Sequence, residues 1–316
     1  MRLPPPGRMV DLDAGRGGQL HMQVAGGADP CGPTVILEAG LAATSISWVL
    51  VQDEIASFAR VVSYDRAGFG WSGNAAPQPL ASAAVADLQR LLESAALPGP
   101  YILVGHSFGG LIVRLFQQLY PERVAALVLV DPVFRAEWRE NTRQRKKMLA
   151  TGASLSRRGA YLAKIGVVRF ALNRLVRASS GKPGKLPGLV AKAFAGKATA
   201  IAYRLVGEIS KIPRELWPVV AAQWSEEQSF LTMAAYIDHL AESCGQLDES
   251  RSLGDLPLVV LSAASASPAA LAEHGHDCGL STRGSHRIIH GTGHWMNLDA
   301  PDAVVSAVRY CVDGLR

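Results

Sequence analysis

The stretch Tyr101-Ile102-Leu103-Val104-Gly105-His106-Ser107-Phe108-Gly109-Gly110 decides how the chain is read. An apolar run ends on a glycine, and the amphipathic run Leu111 to Leu119 follows at once. The chain therefore passes from a buried strand, through a tight turn, into a helix. Ser107 stands on the turn. Glycines two residues before and two after it leave room for the strained backbone so sharp a turn requires, and the turn lifts the hydroxyl clear of the sheet, where a base can reach it. The pattern G-x-S-x-G recurs by chance in many sequences. Its place between strand and helix is the reason to read Ser107 as a nucleophile rather than as a helix cap.

Outward from this turn, short apolar runs read as buried strands at Thr34 to Leu37, Arg60 to Tyr64, Ala126 to Val130, Leu256 to Leu261 and Arg287 to Ile289. Helical patterns separate several of them, as at Ala83 to Ala95. Alternating strand and helix implies crossover connections, hence an α/β fold with a mostly parallel sheet covered on both faces. Gln19 to Val24 reads as an antiparallel edge strand ahead of the parallel series. After Asp131 the strand signal lapses for about 120 residues and the apolar period turns helical. Tyr161, Leu162, Ile165, Val168, Leu172, Leu175 and Val176 lie on one stripe, Gly181 to Gly184 breaks the helix, and further helical patterns run from Leu189 to Ile209 and from Pro218 to Leu240. The expected organisation is a core of residues 1–132 and 251–316 with a helical cap inserted at 133–250.

Composition bounds the rest. At 316 residues and 48% hydrophobic content the chain can bury one large core. It contains no long uncharged apolar run, and its first residues lack the pattern of a secretory leader, so a cytoplasmic protein is expected. Cys31, Cys244, Cys278 and Cys311 are scattered, as small buried apolar residues of a reducing compartment would be. The net charge of +5 is uneven, because residues 135–215 hold nineteen Lys and Arg against four Glu. That segment reads as a solvated basic surface, with weak contact to an anionic membrane surface as the sharper alternative; no nucleic-acid partner is expected.

The second chemical signal is Gly291-Thr292-Gly293-His294-Trp295, between the last strand and a final helix from Pro301. Of eight histidines, His294 alone lies in such a loop near the C-terminus. His106 sits inside the elbow and is expected to shape the pocket. His286 and His290 alternate along a strand. His274 and His276 are two apart on a probable helix, a spacing that points them away from each other, so no metal is expected.

With the elbow and the histidine loop, the chain resembles the α/β-hydrolase superfamily of serine esterases and lipases, on both sides of the cap. Leu37-Glu38-Ala39-Gly40-Leu41 resembles the family's segment after the third strand, with Ala39 where many members have histidine. Tyr64-Asp65-Arg66-Ala67-Gly68-Phe69-Gly70-Trp71-Ser72 resembles the D-x-x-G-x-G-x-S turn. The resemblance implies an oxyanion hole made by the backbone amides of Leu41 and Phe108. It also implies an acid after the seventh strand, but Ser262 to Pro268 holds no carboxylate. Asp131, at the end of the sixth strand, is the first candidate, because some members carry the acid there; others keep an aspartate there to cap the turn. Glu273, Asp277 and a dyad without an acid remain alternatives.

The implied chemistry is acyl transfer from a small-molecule ester of modest hydrophobic acyl length, with no cofactor. Epoxide hydrolases and haloalkane dehalogenases of this fold use aspartate at the elbow, which Ser107 argues against. Trp48, Trp295, Trp138, Phe170, Tyr203, Trp217 and Trp224 are candidate linings of an acyl pocket. The same groups could act on a lactone, amide, carbon–carbon bond or peracid, and a non-enzymatic receptor on a hydrolase scaffold is the reading from another class.

Overall fold

The computed structural model describes residues 4–12, 18–27, 32–76, 78–140, 142–178 and 211–315. Eight strands form one sheet: β1 (Arg8–Asp11), β2 (Gln19–Ala25), β3 (Thr34–Glu38), β4 (Arg60–Tyr64), β5 (Tyr101–His106), β6 (Val124–Val130), β7 (Leu258–Ala263) and β8 (Gly284–Ile289). Their order is β1-β2-β4-β3-β5-β6-β7-β8. The pairs from β4 through β8 are parallel; β1 with β2 and β2 with β4 are antiparallel. The strand Gln19–Ala25 is therefore antiparallel, as its pattern suggests, but it is not the edge. That place belongs to β1, whose four residues bury only Val10 and so leave no alternation to read.

Helices α1 (Val49–Ala56), α2 (Ala81–Ser94) and α3 (Phe108–Leu119) follow strands as crossovers. Side chains alternate along the central strands and supply two cores. Ile36, Leu103, Leu127 and Val260 pack with Leu88 of α2 and Ile112 of α3. Val35, Leu37, Ile102, Val104, Val128 and Val259 pack with Val51 and Ile55 of α1 and with Val304 and Val308 of the last helix. A strand buried on both faces reads as a continuous apolar run.

Between β6 and β7 the described residues form helices: α4 (Arg135–Arg139), α5 (Arg143–Lys164), α6 (Val167–Ala178), α7 (Trp217–Gln223), α8 (Glu227–Asp238) and α9 (Leu240–Gly245). After β7 come α10 (Pro268–Gly279), α11 (Met296–Asp299) and α12 (Pro301–Asp313). The patterns read at Gly181 to Gly184 and Leu189 to Ile209, with Tyr203 and Cys31, lie outside the described residues. The helix expected from Pro218 to Leu240 is two, parted at Trp224-Ser225-Glu226.

The stripe expected from Tyr161 to Val176 fails at Tyr161 and Ile165; Leu162, Val168 and Leu172 are half-buried, and the side chains of Leu175 and Val176 lie outside those described. Gly166, at φ +79°, ends α5 and starts α6 in a new direction. Tyr161 and Ile165 are exposed, and the buried face of α5 consists of Ala153, Ser156, Ala160 and Ala163. Small residues there let α8 approach closely: Gly159 lies so near Phe230 that a Cβ would meet its ring at 2.6 Å.

Candidate active site

Ser107 adopts φ 54° and ψ −118° between β5 and α3, a conformation that costs a non-glycine residue roughly 1–3 kcal/mol. The flanking glycines permit it by close approach. A Cβ on Gly105 would lie 2.5 Å from Gly109 O, and one on Gly109 would lie 2.4 Å from Glu38 O. The turn is held from β6, because Ser107 N donates to Val130 O at 3.0 Å and Val133 N donates to Ser107 O at 3.1 Å.

The loop after β8 brings His294 to this hydroxyl, with Nε2 at 2.9 Å from Ser107 Oγ. Asp299 orders that loop by accepting from Gly293 N at 2.8 Å and pairing with Lys211 at 2.6 Å. His106 Nε2 donates to the His294 carbonyl at 2.7 Å. His106 is fully buried, and burial together with the neighbouring His294 pulls its pKa down to about 3, so it is a neutral brace.

Asp131 lies across the sheet end from Ser107. Its Oδ2 accepts from His294 Nδ1 at 2.7 Å and its Oδ1 from Ala263 N at 3.0 Å. A carboxylate at Nδ1 fixes that proton and leaves Nε2 bare toward the serine hydroxyl. Burial alone would raise the Asp131 carboxyl; the bonds from His294 and the Ala263 amide outweigh it and hold the group below the usual carboxylate range. Asp131 reaches this position at φ 42°, a second strained backbone beside Ser107.

The alternative acids are engaged elsewhere. Glu273 accepts from Arg135 N at 2.8 Å and Ala136 N at 2.9 Å, capping α4. Asp277, fully buried, pairs with Arg135 and Arg114, each at 2.8 Å. That cluster joins α4 to α10. In place of an acid after β7 stands a neutral relay: His286 Nε2 donates to Ser262 Oγ at 2.8 Å, Ser262 donates to His274 Nδ1 at 2.7 Å, and His274 Nε2 donates to Pro132 O at 3.0 Å. Burial lowers the pKa of both histidines. The relay steadies the residue that follows Asp131. Among the described residues no group of three His, Cys, Asp or Glu side chains stands where a metal ion could be held.

Leu41 follows β3 and Phe108 opens α3, whose first N–H groups have no partner within the helix and carry its positive end. Sequence reading missed what orients the first of these amides. The buried Arg66 guanidinium donates to three successive carbonyls, of Ala39, Gly40 and Leu41, the last at 2.7 Å, and pairs with Glu38. In a trans peptide the C=O and N–H point oppositely, so turning the Gly40 carbonyl to Arg66 turns the Leu41 N–H away from it. Gly40 itself lies against His106 and Ser107: a Cβ there would be 3.6 Å from Ser107 Cβ. Phe69, Phe108 and Tyr236 surround the guanidinium with ring centroids at 5.8–6.0 Å.

Of the candidate lining residues, Trp295, Trp217 and Trp224 meet in one apolar cluster with Trp71, Leu50, Val220, Ile46 and Leu298 beside the histidine loop. Thr44 Oγ1 ties that cluster to α7 by donating to Gln223 Oε1 at 3.0 Å. The others separate. Trp48 has no exposed surface; it packs among Val51, Ile55 and Met296 and meets His106 edge-on at 6.5 Å, backing the elbow instead of facing solvent. Trp138 sits beneath Arg145, and Phe170 is 58% exposed.

Residues 35–307, which carry both the elbow and the histidine loop, match the model of the alpha/beta hydrolase family. The chain belongs to that family. Among its curated relatives, an AB hydrolase superfamily protein of Gibberella zeae is 37% identical over 122 residues, 38% of either chain. The (lyso)-N-acylphosphatidylethanolamine lipase of Mus musculus is 34% identical over 89 residues, 27% of this chain and 26% of that one. The alignments reach 38 to 45% of the length of the first three curated relatives, so the chain covers under half of each. Among solved hydrolase structures, the thermophilic esterase from Thermogutta terrifontis, with malate bound, superposes at a TM-score of 0.62 and 21% identity, over 97% of this chain and 98% of that one. At that identity the likeness shows the fold. Among the described residues of this hydrolase no helix is long and apolar enough to cross a membrane.

Proposed function

We propose that this hydrolase cleaves carboxylic esters of small to medium hydrophobic acyl groups through an acyl-enzyme on Ser107. The observation that carries the reading is one continuous hydrogen-bonded line: Ser107 Oγ at 2.9 Å from His294 Nε2, and His294 Nδ1 at 2.7 Å from Asp131 Oδ2. His294 takes the serine proton as Oγ attacks the ester carbonyl, and Asp131 stabilises the imidazolium so formed. The amides of Leu41 and Phe108 stabilise the oxyanion while His294 returns the proton to the leaving alcohol. Water then enters, His294 takes its proton as the water oxygen attacks the acyl carbon, and the bond from that carbon to Ser107 Oγ breaks as His294 returns the proton to Oγ, releasing the acid. The tryptophan cluster of Trp217, Trp224 and Trp295 suits an apolar acyl chain. The esterase and lipase names of two similar proteins agree with this substrate class.

The helices α4 to α9 then serve as a cap over the site, anchored through the Asp277 cluster. The test is hydrolysis of p-nitrophenyl acetate, butyrate and octanoate by the wild type and by Ser107→Ala. The reading requires turnover in the first, with a preference for the longer acyl chains, and its loss by several orders of magnitude in the second. Equal rates in both, or turnover of amides alone, would remove it.

A further inference from the structure

Helix α5 is turned with its small residues inward and several of its large apolar residues outward, and at the start of α6 Val167 and Phe170 also face outward. Gly152, Ala153, Ser156, Gly159, Ala160 and Ala163 form the face of α5 toward α8. Met148, Leu155, Tyr161 and Ile165 stand 43, 37, 64 and 54% exposed, and across the Gly166 turn Val167 and Phe170 are 44 and 58% exposed. A helix pair that needed only its own domain would have no use for such an arrangement, since its large side chains gain most by burial.

Charge is as one-sided as shape. Residues 141–207 contain no Asp or Glu and fifteen Lys and Arg. Three of these cations reach back to acids around α8: Arg157 to Asp238, Lys164 to Glu227 and Arg169 to Glu226. Arg143, Lys147 and Arg158 pair with no carboxylate among the described residues. They share one face of α5 with Ser154, Tyr161 and Ile165, at spacings of four, seven, four, three and four, and every member of that stripe is exposed. Arg174 lies over the Phe170 ring at 5.7 Å, so the same mixture continues on α6.

We propose that the α5–α6 turn is a docking surface for an anionic phospholipid bilayer. Tyr161, Ile165, Val167 and Phe170 enter the boundary between headgroups and acyl chains, and Arg143, Lys147, Arg158 and Arg174 meet the lipid phosphates. A helix lying along the bilayer with basic residues on the face that carries its exposed aromatic and aliphatic side chains is what such an interface binds. A nucleic acid would satisfy the cations but offers no apolar phase for four large side chains. A second copy of the chain, pairing through this face, would bring like charges together. Docking at this surface is independent of the reaction at Ser107.

The test is co-sedimentation of the full-length Ser107→Ala chain, which leaves vesicle lipid intact, with phosphatidylcholine vesicles that contain or lack about 30% phosphatidylglycerol. The expected result is binding to the anionic vesicles alone, falling steeply as NaCl rises from about 0.05 to about 0.5 M. Tyr161→Ser with Phe170→Ser should weaken it by about tenfold or more. Lys147→Gln and Arg158→Gln should each weaken it about fivefold at low salt. All four positions are exposed, so circular dichroism and hydrolysis of a soluble ester in the Ser107 background should not change. No binding to anionic vesicles, equal binding to both kinds, or binding that ignores the Tyr161 and Phe170 changes overturns the proposal; the last result would mark a surface for polyanions such as nucleic acid.

Discussion

Asp131 Oδ2 and His294 Nδ1, 163 residues apart in the chain, share a hydrogen bond of 2.7 Å. The carboxylate comes from the end of β6, while β7 contributes only a backbone amide, Ala263 N, to its other oxygen. In the proposed mechanism this bond keeps the proton of the resting imidazole on Nδ1. Asp131→Asn offers an amide there and permits the opposite tautomer, so kcat should fall by about 10⁴ while the fold persists. Steady-state kinetics with circular dichroism check this; near-normal turnover in a folded variant would take the acid's role from Asp131.

Asp277 should behave in the opposite way. It carries two buried arginines, Arg114 and Arg135, and removing its charge leaves both with less than they need. Asp277→Ala should cost about 3–5 kcal/mol of stability in urea unfolding, whereas the folded fraction should keep kcat within a few-fold. A kcat loss as deep as that of Asp131→Asn at unchanged stability would contradict this division of roles.

Arg66 should act on turnover through the Leu41 amide. Lysine keeps the charge but cannot reach three successive carbonyls as a planar fork does. Arg66→Lys should lower kcat by about 10²-fold with KM little changed, and should weaken a boronic-acid inhibitor, which imitates the tetrahedral intermediate, by a similar factor. Unaltered kcat and inhibitor affinity would reduce Arg66 to a packing role.

The buried His106 gives the protein a pH signature. Its folded pKa of about 3 lies below the unfolded value near 6.5, so in acid the unfolded chain binds the extra proton. Its stability contribution is complete above about pH 6.5 and declines as pH falls toward 3. Between pH 7 and pH 5 this one group accounts for about 2 kcal/mol. His106→Gln, which keeps a donor for the His294 carbonyl, should shrink the stability difference between those two pH values by about that amount in urea titrations. An unchanged difference would mean that His106 already carries a proton in the folded state.

The legible parts of this hydrolase were those written in side-chain type and spacing. Gly105, Ser107 and Gly109 announce the elbow because only glycines tolerate 2.5 Å approaches of a would-be Cβ to backbone. The double-sided strands announce the sheet through unbroken apolar runs. What was not legible runs through the backbone or through small residues. Arg66 binds carbonyls, which every residue has, and Ala263 supports Asp131 with its amide, which no residue type reveals. The gap after β7 shows in the sequence, and Asp131 enters as a candidate acid only through the family resemblance, beside Glu273 and Asp277; the relay through Ser262, His274 and His286 depends on three elements meeting. Between β6 and β7, reading Tyr161 and Ile165 as part of a buried stripe failed because α5 buries alanine, glycine and serine against α8.

In the proposed mechanism the Ser107 hydroxyl is a nucleophile activated by His294. The most direct measurement is intact-mass analysis after treatment with a fluorophosphonate, followed by peptide mapping. A single adduct on Ser107 should form in the wild type, more slowly by orders of magnitude in His294→Ala, and not at all in Ser107→Ala. A wild-type chain that stays unlabelled, or one labelled equally well without His294, would contradict it.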